Sequence, residues 1–231
     1  MRAIILAAGM GTRLRPLTLT TPKALTVVND KPLLERQIEF LKEKGIDDII
    51  VVTGYLKEKF EYLKEKFGVK LINNDKYDIY NNIYTMYLVR EYLGDSYVLD
   101  ADIYLNRNFF KSKLESSVYF SAYRENFENE WNIKFNLKNK IENIDIVEKG
   151  KGYILSGVSY WSKKDSKIII KEIENAIKTD NFKDYYWDDI IRLNIDKLNI
   201  KLEKLSANDI YEIDNIEELQ KLKKILEKEY V

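Results

Sequence analysis

The chain has 231 residues, 45% of them hydrophobic, which suits one compact α/β domain with its own core. Its 38 basic residues balance 38 acidic ones, and it contains neither cysteine nor histidine. This composition leaves no general field to attract nucleic acid, excludes disulfides, thiolate catalysis and cysteine-ligated metal, and removes the commonest general base.

The apolar run at residues 4–8 is too short for a signal peptide. No stretch nears the roughly 20 apolar residues of a membrane span. A cytoplasmic protein with no membrane or nucleic-acid partner is expected.

Residues 3–7 predict a buried strand, 32–44 a helix with Leu34, Ile38 and Leu41 on one face, and 48–53 a second buried strand. Leu56, Phe60, Leu63 and Phe67 mark one face of a helix that Gly68 ends. The near repeat of residues 55–61 in 62–68 is too short for a coiled coil and reads as that one amphipathic helix. A strand at 69–72, a helix at 83–92 and a strand at 96–99 follow, the last running into Asp100-Ala101-Asp102. Apolar strands alternating with helices argue a parallel sheet covered on both faces. After residue 105 the pattern changes. Residues 118–123, 133–137, 140–147 and 153–160 predict antiparallel strands with polar turns. Then come a helix at 162–178, the segment 185–195, a strand at 200–205 and a last helix at 216–229.

The most informative stretch is residues 2–25, RAIILAAGMGTRLRPLTLTTPKAL. A dinucleotide fingerprint would need glycine where Leu14 stands, and the Walker pattern is missing. What remains is a strand feeding a loop whose glycines allow close backbone approach to phosphate, with Arg13 and Lys23 able to neutralise a triphosphate. The bland alternative is a glycine turn followed by surface basic residues.

Leu6-Ala7-Ala8-Gly9-Met10-Gly11-Thr12-Arg13-Leu14 and Pro22-Lys23-Ala24-Leu25 resemble the signature of the nucleotidyltransferase family that includes the sugar-phosphate nucleotidylyltransferases. The resemblance implies that Gly9, Gly11, Thr12, Arg13 and Lys23 hold a nucleoside triphosphate, with Leu6 and Ala8 beside them. Arg13 and Lys23 are then the catalytic pair. The implied fold is a Rossmann-like, mixed and mainly parallel central sheet with helices on both faces and a small antiparallel lid region. Residues 1–231 are expected to form one domain, 1–105 binding nucleotide and 106–231 binding the acceptor and supplying the lid.

Asp100 and Asp102 end the strand at 96–99, where an α/β sheet places its ligand. They are expected to point to opposite faces, so that only one reaches the site directly; turn capping is the alternative. The family resemblance gives Asp102 to a Mg²⁺ ion, with Asp100 in support near the nucleotide. It also implies a second ligand late in the chain, Asp214 or failing that Glu212, although Asp214 could equally cap the final helix. Mg²⁺ needs only one or two carboxylates besides phosphate oxygens and water. Asn82, Tyr84 and Thr85 are expected to read the base, with helix capping the alternative for Asn82.

Trp131, preceded by Glu130, and the run Tyr185-Tyr186-Trp187-Asp188-Asp189 interleave aromatic rings with acids. Such a mixture suits a quaternary ammonium, attracted by about 0.5–2 kcal/mol per ring face; an ordinary core or lid cluster is the alternative. The whole chain resembles the bacterial choline-phosphate cytidylyltransferases of the lic pathway. Matching segments include Gly54-Tyr55-Leu56-Lys57-Glu58, Ile154-Leu155-Ser156-Gly157-Val158-Ser159, Tyr186-Trp187-Asp188 and Ile210-Tyr211-Glu212-Ile213-Asp214. This implies that CTP and phosphocholine become CDP-choline and pyrophosphate with Mg²⁺. Trp131, Gly157, Tyr186, Trp187 and Asp188 are assigned to the acceptor, the aromatic ones on chemical grounds. The rival readings are another acceptor (2-aminoethylphosphonate, phosphoethanolamine or a sugar 1-phosphate) and a non-catalytic nucleotide-binding regulatory module.

Overall fold

Residues 3–7 carry no polar side chain, and they lie in the interior of a sheet. In the computed structural model, which describes residues 1–229, the chain begins with β1 (Arg2–Ala7), β2 (Val27–Val28), β3 (Lys31–Pro32) and α1 (Leu33–Lys42). It continues through β4 (Ile49–Thr53), α2 (Tyr62–Phe67), β5 (Lys70–Asn73), α3 (Asn82–Val89), β6 (Ser96–Asp100) and β7 (Ile103–Leu105). The remainder is β8 (Ser117–Phe135), β9 (Ile141–Tyr153), β10 (Val158–Trp161), α4 (Lys163–Ile177), α5 (Trp187–Leu193), β11 (Ile200–Leu205), β12 (Ile210–Glu212) and α6 (Ile216–Glu229).

The main sheet has the order β11-β8-β10-β6-β1-β4-β5, with β9 paired to β8. β6, β1, β4 and β5 are parallel. β10 enters antiparallel between β6 and β8, and β11 is parallel to β8. The mixed, mainly parallel sheet expected from the sequence is therefore present. β1 has β4 on one side and β6 on the other, so connections leave it in both directions. A crevice opens at the carboxyl ends of strands at such a point.

Successive side chains of β1 enter two different apolar layers. Ala3, Ile5 and Ala7 join Leu34, Ile38 and Leu41 of α1 and Leu63 of α2. Ile4 and Leu6 join Ile83 and Met86 of α3, Ile169 and Ile173 of α4, and Ile190 of α5. Burial on both faces explains why these strands read as unbroken apolar runs, each large side chain contributing about 1.5–3 kcal/mol. A third cluster packs Leu219, Leu222 and Leu226 of α6 against Leu14, Tyr104 and Ile213. It draws the C-terminal helix onto the N-terminal glycine loop.

Three expected elements differ. The helix over residues 56–67 breaks: Leu56 has φ 51°, a 3-10 turn spans Lys57–Phe60, and only Tyr62–Phe67 is α-helical. The turn still buries Phe60 and Leu63, so the apolar spacing survives without a continuous helix. Residues 118–123 and 133–135 belong to one strand, β8, whose polar middle pairs with β9 and shifts register between Arg124 and Phe127; residues 136–137 lie in the turn beyond it. Its polar middle carries exposed glutamates and asparagines, a pattern that mimics a turn. Conversely, residues 153–160 divide between β9 and β10, separated by a bend in which Gly157 has φ 66°. No described helix is long and apolar enough to cross a membrane.

Candidate active site

A cleft of about 550 Å³ opens at the carboxyl ends of β1 and β6. β1 delivers the chain to it through Leu6 and Ala8, after which Gly9, Gly11, Thr12 and Arg13 line the wall. Gly11 has φ 59°, a left-handed conformation that suits glycine. A β-carbon there would lie 2.9 Å from Cβ of Lys23. The loop is fixed by the Thr18 hydroxyl, which donates to the Gly11 carbonyl at 2.8 Å, and by the buried Leu14. Its conformation thus sets the approach of Lys23.

The acidic residues reach this loop through a small antiparallel ribbon. β7 pairs with β12 so that Ile103 faces Glu212, and the Ile213 amide donates to the Asp102 carbonyl at 3.2 Å. Asp102, Glu212 and Asp214 thereby each place one carboxylate oxygen within 4.8 Å of the others. Lys23 Nζ donates to Asp102 Oδ2 at 2.6 Å and to Asp214 Oδ1 at 2.8 Å, and Arg13 Nη2 stands 2.9 Å from the same Asp214 oxygen.

Capping does not account for Asp214. The side chain of Asn215 accepts from the Glu218 amide at 2.9 Å, and Glu218 reaches back to the Asp214 amide at 2.6 Å. These two residues serve the start of α6 and leave the Asp214 carboxylate to the cluster. Asp100 also lines the cleft beside Asp102, so the expectation that only one of the two reaches the site is corrected. Asp100 is the last residue of β6 and Asp102 stands in the turn that follows, where the alternation of a strand no longer applies.

Charge crowding shows in the titration of these groups. Burial would lower the Lys23 pKa, but attraction to Asp102 and Asp214 outweighs it and raises the ammonium above its ordinary value. Burial, with repulsion from Asp102 and Asp188, holds the Asp100 carboxyl well above the usual range. Glu212 opens to solvent along the cleft wall, yet the protein packed around its carboxyl and the charges of Asp102 and Asp214 push it to about 8.

Asn82 and Thr85 line the cleft one helical turn apart on α3; Tyr84 does not. Two residues beyond Asn82 on a helix, Tyr84 faces another way and packs between Tyr80 and Tyr87, with ring centroids 5.1 and 6.0 Å away. Its expected base contact is corrected. Asn82 does not cap its own helix either: its side-chain oxygen accepts from the Trp187 amide at 2.8 Å, at the first turn of α5. Thr85 is held by Asn74 Nδ2 at 3.0 Å.

Another part of the cleft wall is aromatic and acidic. Trp131 and Tyr186 stand edge to face, 6.3 Å between centroids. Trp187 also borders the cleft but is almost fully buried, packed on Trp161 at 5.5 Å. Asp188 accepts a 2.6 Å hydrogen bond from the Tyr119 hydroxyl. Burial raises its carboxyl to about 7, against the lowering effect of that bond. Gly157 lies against Asp100, where a β-carbon would stand 2.8 Å from Oδ2.

A family model described as nucleotidyl transferase matches residues 2–175. The chain belongs to the nucleotidyl transferase family. A choline-phosphate cytidylyltransferase of Streptococcus pneumoniae is 54% identical, over 99% of this chain and 100% of that protein. One of Haemophilus influenzae is 44% identical, over 96% and 97% of the two chains. A 2-aminoethylphosphonate cytidylyltransferase of Lancefieldella rimae is 35% identical, over 94% and 89%. A solved structure of the CTP:phosphocholine cytidylyltransferase of S. pneumoniae superposes with a TM-score of 0.96, over 97% of this chain and 98% of that one.

In this nucleotidyl transferase the acidic cluster fits a hard divalent cation. Its three carboxylates converge, and the buried Asp102 Oδ1 has no hydrogen-bond partner among the described residues. Of the residues assigned a site role from the sequence, all except Tyr84 border the same cleft. Sequence reasoning missed Tyr77, Tyr80 and Tyr119, which border it too. Tyr119 lies within a buried strand, and its alternation there reads as core. Tyr80 follows the polar run at residues 73–78, and its signal was only an aromatic ring next to two asparagines.

Proposed function

We propose that this nucleotidyl transferase moves a cytidylyl group from CTP to phosphocholine, giving CDP-choline and pyrophosphate. The observation that carries the proposal is one cleft whose wall brings together two chemically different groups. One is the glycine loop with Arg13, Lys23 and the acidic cluster; the other is the pairing of Trp131 and Tyr186 with Asp188. The extended likeness to choline-phosphate cytidylyltransferases supports the same acceptor.

In the proposed reaction a phosphate oxygen of phosphocholine bonds to the α-phosphorus of CTP. The bond from that phosphorus to the bridging oxygen breaks, and pyrophosphate leaves with the electron pair. A phosphate monoester has its second pKa near ~6, so the attacking oxygen is already an anion and no histidine is needed to deprotonate it. Catalysis then rests on alignment and charge neutralisation. Arg13 and Lys23 would stabilise the negative charge on the phosphates. Asp102 and Asp214, with Glu212, would hold Mg²⁺, which supplies a further positive charge when bound. Leu6, Ala8, Gly9, Gly11 and Thr12 would shape the triphosphate site, with Asp100, Asn82 and Thr85 toward the nucleoside.

A quaternary ammonium has no N–H to donate, so its recognition depends on ring faces and unpaired negative charge. Trp131, Tyr186 and Asp188 meet that need, while Trp187 and Gly157 set the shape around them. Residues 1–105 would serve as the nucleotide half and 106–231 as the acceptor half. A panel of acceptors with CTP, scored by pyrophosphate release, tests the assignment. Phosphocholine should give the highest kcat/KM; faster turnover with 2-aminoethylphosphonate, phosphoethanolamine or a sugar 1-phosphate would overturn it.

A further inference from the structure

α1 turns Leu34, Ile38 and Leu41 to the core, and Gln37 lies on the same face with no exposed surface. An amide at such a position is conspicuous, because a leucine or methionine would satisfy the packing. Its Nε2 donates to the Asp100 carbonyl at 3.0 Å and to the Ile103 carbonyl at 2.9 Å. Both partners can only accept, so the orientation of the amide is determined. Its other atom, Oε1, has no hydrogen-bond partner among the described residues. The side chain is therefore used for its two donors alone.

Those two carbonyls close the ends of one turn, where the chain leaves β6 and enters β7. Between them lie Ala101 and Asp102. The turn is also tied through its amides, Asp100 to the Gly157 carbonyl at 2.8 Å and Ala101 to the Leu6 carbonyl at 3.1 Å. Gln37 supplies the complementary hold on the carbonyl side, from a helix that is itself packed into the core. Removing it would leave two carbonyls without these donors and free their peptide planes to rotate.

From this geometry we infer that Gln37 is a positioning residue: it fixes the turn so that the Asp102 carboxylate stays in register with Glu212 and Asp214. The inference rests on the reading that these three acids hold the divalent cation. Gln37 does not border the cleft and acts only through the backbone of the turn. Outer-shell partners of this kind change metal affinity by roughly 10–100-fold.

Mn²⁺ binding in the presence of CTP, followed by electron paramagnetic resonance, tests it on the full chain. The variants are Gln37→Met, which keeps volume but no donor, and Gln37→Glu, which keeps shape but presents an anion to two carbonyls. Each should weaken Mn²⁺ binding by about 10-fold or more and raise the Mg²⁺ concentration for half-maximal activity by a similar factor. kcat at saturating Mg²⁺ should largely recover. Ile38→Val, a packing change on the same helix, should lower the unfolding temperature and leave the Mn²⁺ constant unmoved. A folded Gln37→Met protein with wild-type Mn²⁺ binding overturns the inference. Asp102→Asn is the separate arm: wild-type Mn²⁺ binding there overturns the metal reading itself. Should neither Gln37 variant fold, Mg²⁺ titration of the CTP-bound wild type by NMR decides. The Gln37 side-chain amide signals should shift, and signals unchanged through saturation overturn the inference.

Discussion

Lys23 and Asp102 stand 79 residues apart in sequence and form an ion pair of 2.6 Å in the wall of the cleft. The same ammonium reaches Asp214 at 2.8 Å, so the N-terminal glycine loop and the acidic cluster are one electrostatic unit. Lys23 is only 14% exposed, and two carboxylates offset its loss of hydration. Its positive charge rests on two of the carboxylates proposed to hold a divalent cation.

That competition makes Lys23→Met informative. Turnover should fall by roughly 10²-fold or more, as for other lost transition-state donors. Mn²⁺ binding without nucleotide should instead tighten, because the carboxylates lose a competing cation. Paired measurements of kcat and of Mn²⁺ binding by paramagnetic resonance check both directions.

Asp102→Ala should abolish measurable turnover while the fold persists. Asp102 repels Asp100 and Glu212, so its removal relieves crowding even as it takes a partner from Lys23. Circular dichroism should be unchanged and activity lost; near-normal activity would refute the metal assignment.

At Gly11 the left-handed φ of 59° and the 2.9 Å approach to Lys23 act together. Gly11→Ala should cost about 1 kcal/mol or more in stability. It should also raise the KM for CTP, because the new methyl group displaces the Lys23 stem. Thermal unfolding and CTP saturation curves measure the two effects.

The Asp188 carboxyl, raised to about 7 by burial, should give acceptor binding a pH dependence. Below that value it is neutral and no longer attracts a cation, so affinity should fall as pH falls. A bound cation favours the ionised form and moves the midpoint lower. Choline, used as a competitive inhibitor, isolates this effect from titration of the substrate phosphate. Its inhibition constant should rise toward acid pH in the wild type and be flat in Asp188→Asn.

Tyr84 supplies a control, because it packs among Tyr80 and Tyr87 and does not border the cleft. Tyr84→Phe should leave the KM for CTP unchanged. Thr85→Val, one residue along and facing the cleft, should raise it.

Much of the site was legible in local pattern. The strand, glycine loop and basic residues of 2–25 form a contiguous chemical unit, and Asp102 stands at the end of an apolar strand. The errors and open alternatives fall where local pattern carries two meanings. The polar middle of β8 looks like a turn until β9 is seen to pair with it. Asn82 looks like a cap for α3, yet its oxygen serves α5, 105 residues later. Tyr119 looks like core until Asp188 is placed against its hydroxyl.

By itself the sequence determined the chemistry available: a glycine loop with cations beside it, carboxylates in place of histidine, and aromatic rings interleaved with acids. Only the tertiary structure decided which of these groups meet. The capping reading of Asp214 fell because Asn215 and Glu218 take over the start of α6. The role of Gln37 turned on which carbonyls its amide reaches. Hydrogen bonds and ion pairs act over about 3 Å, whereas the pairs that matter here lie tens to hundreds of residues apart, brought together by burial of the two faces of the sheet.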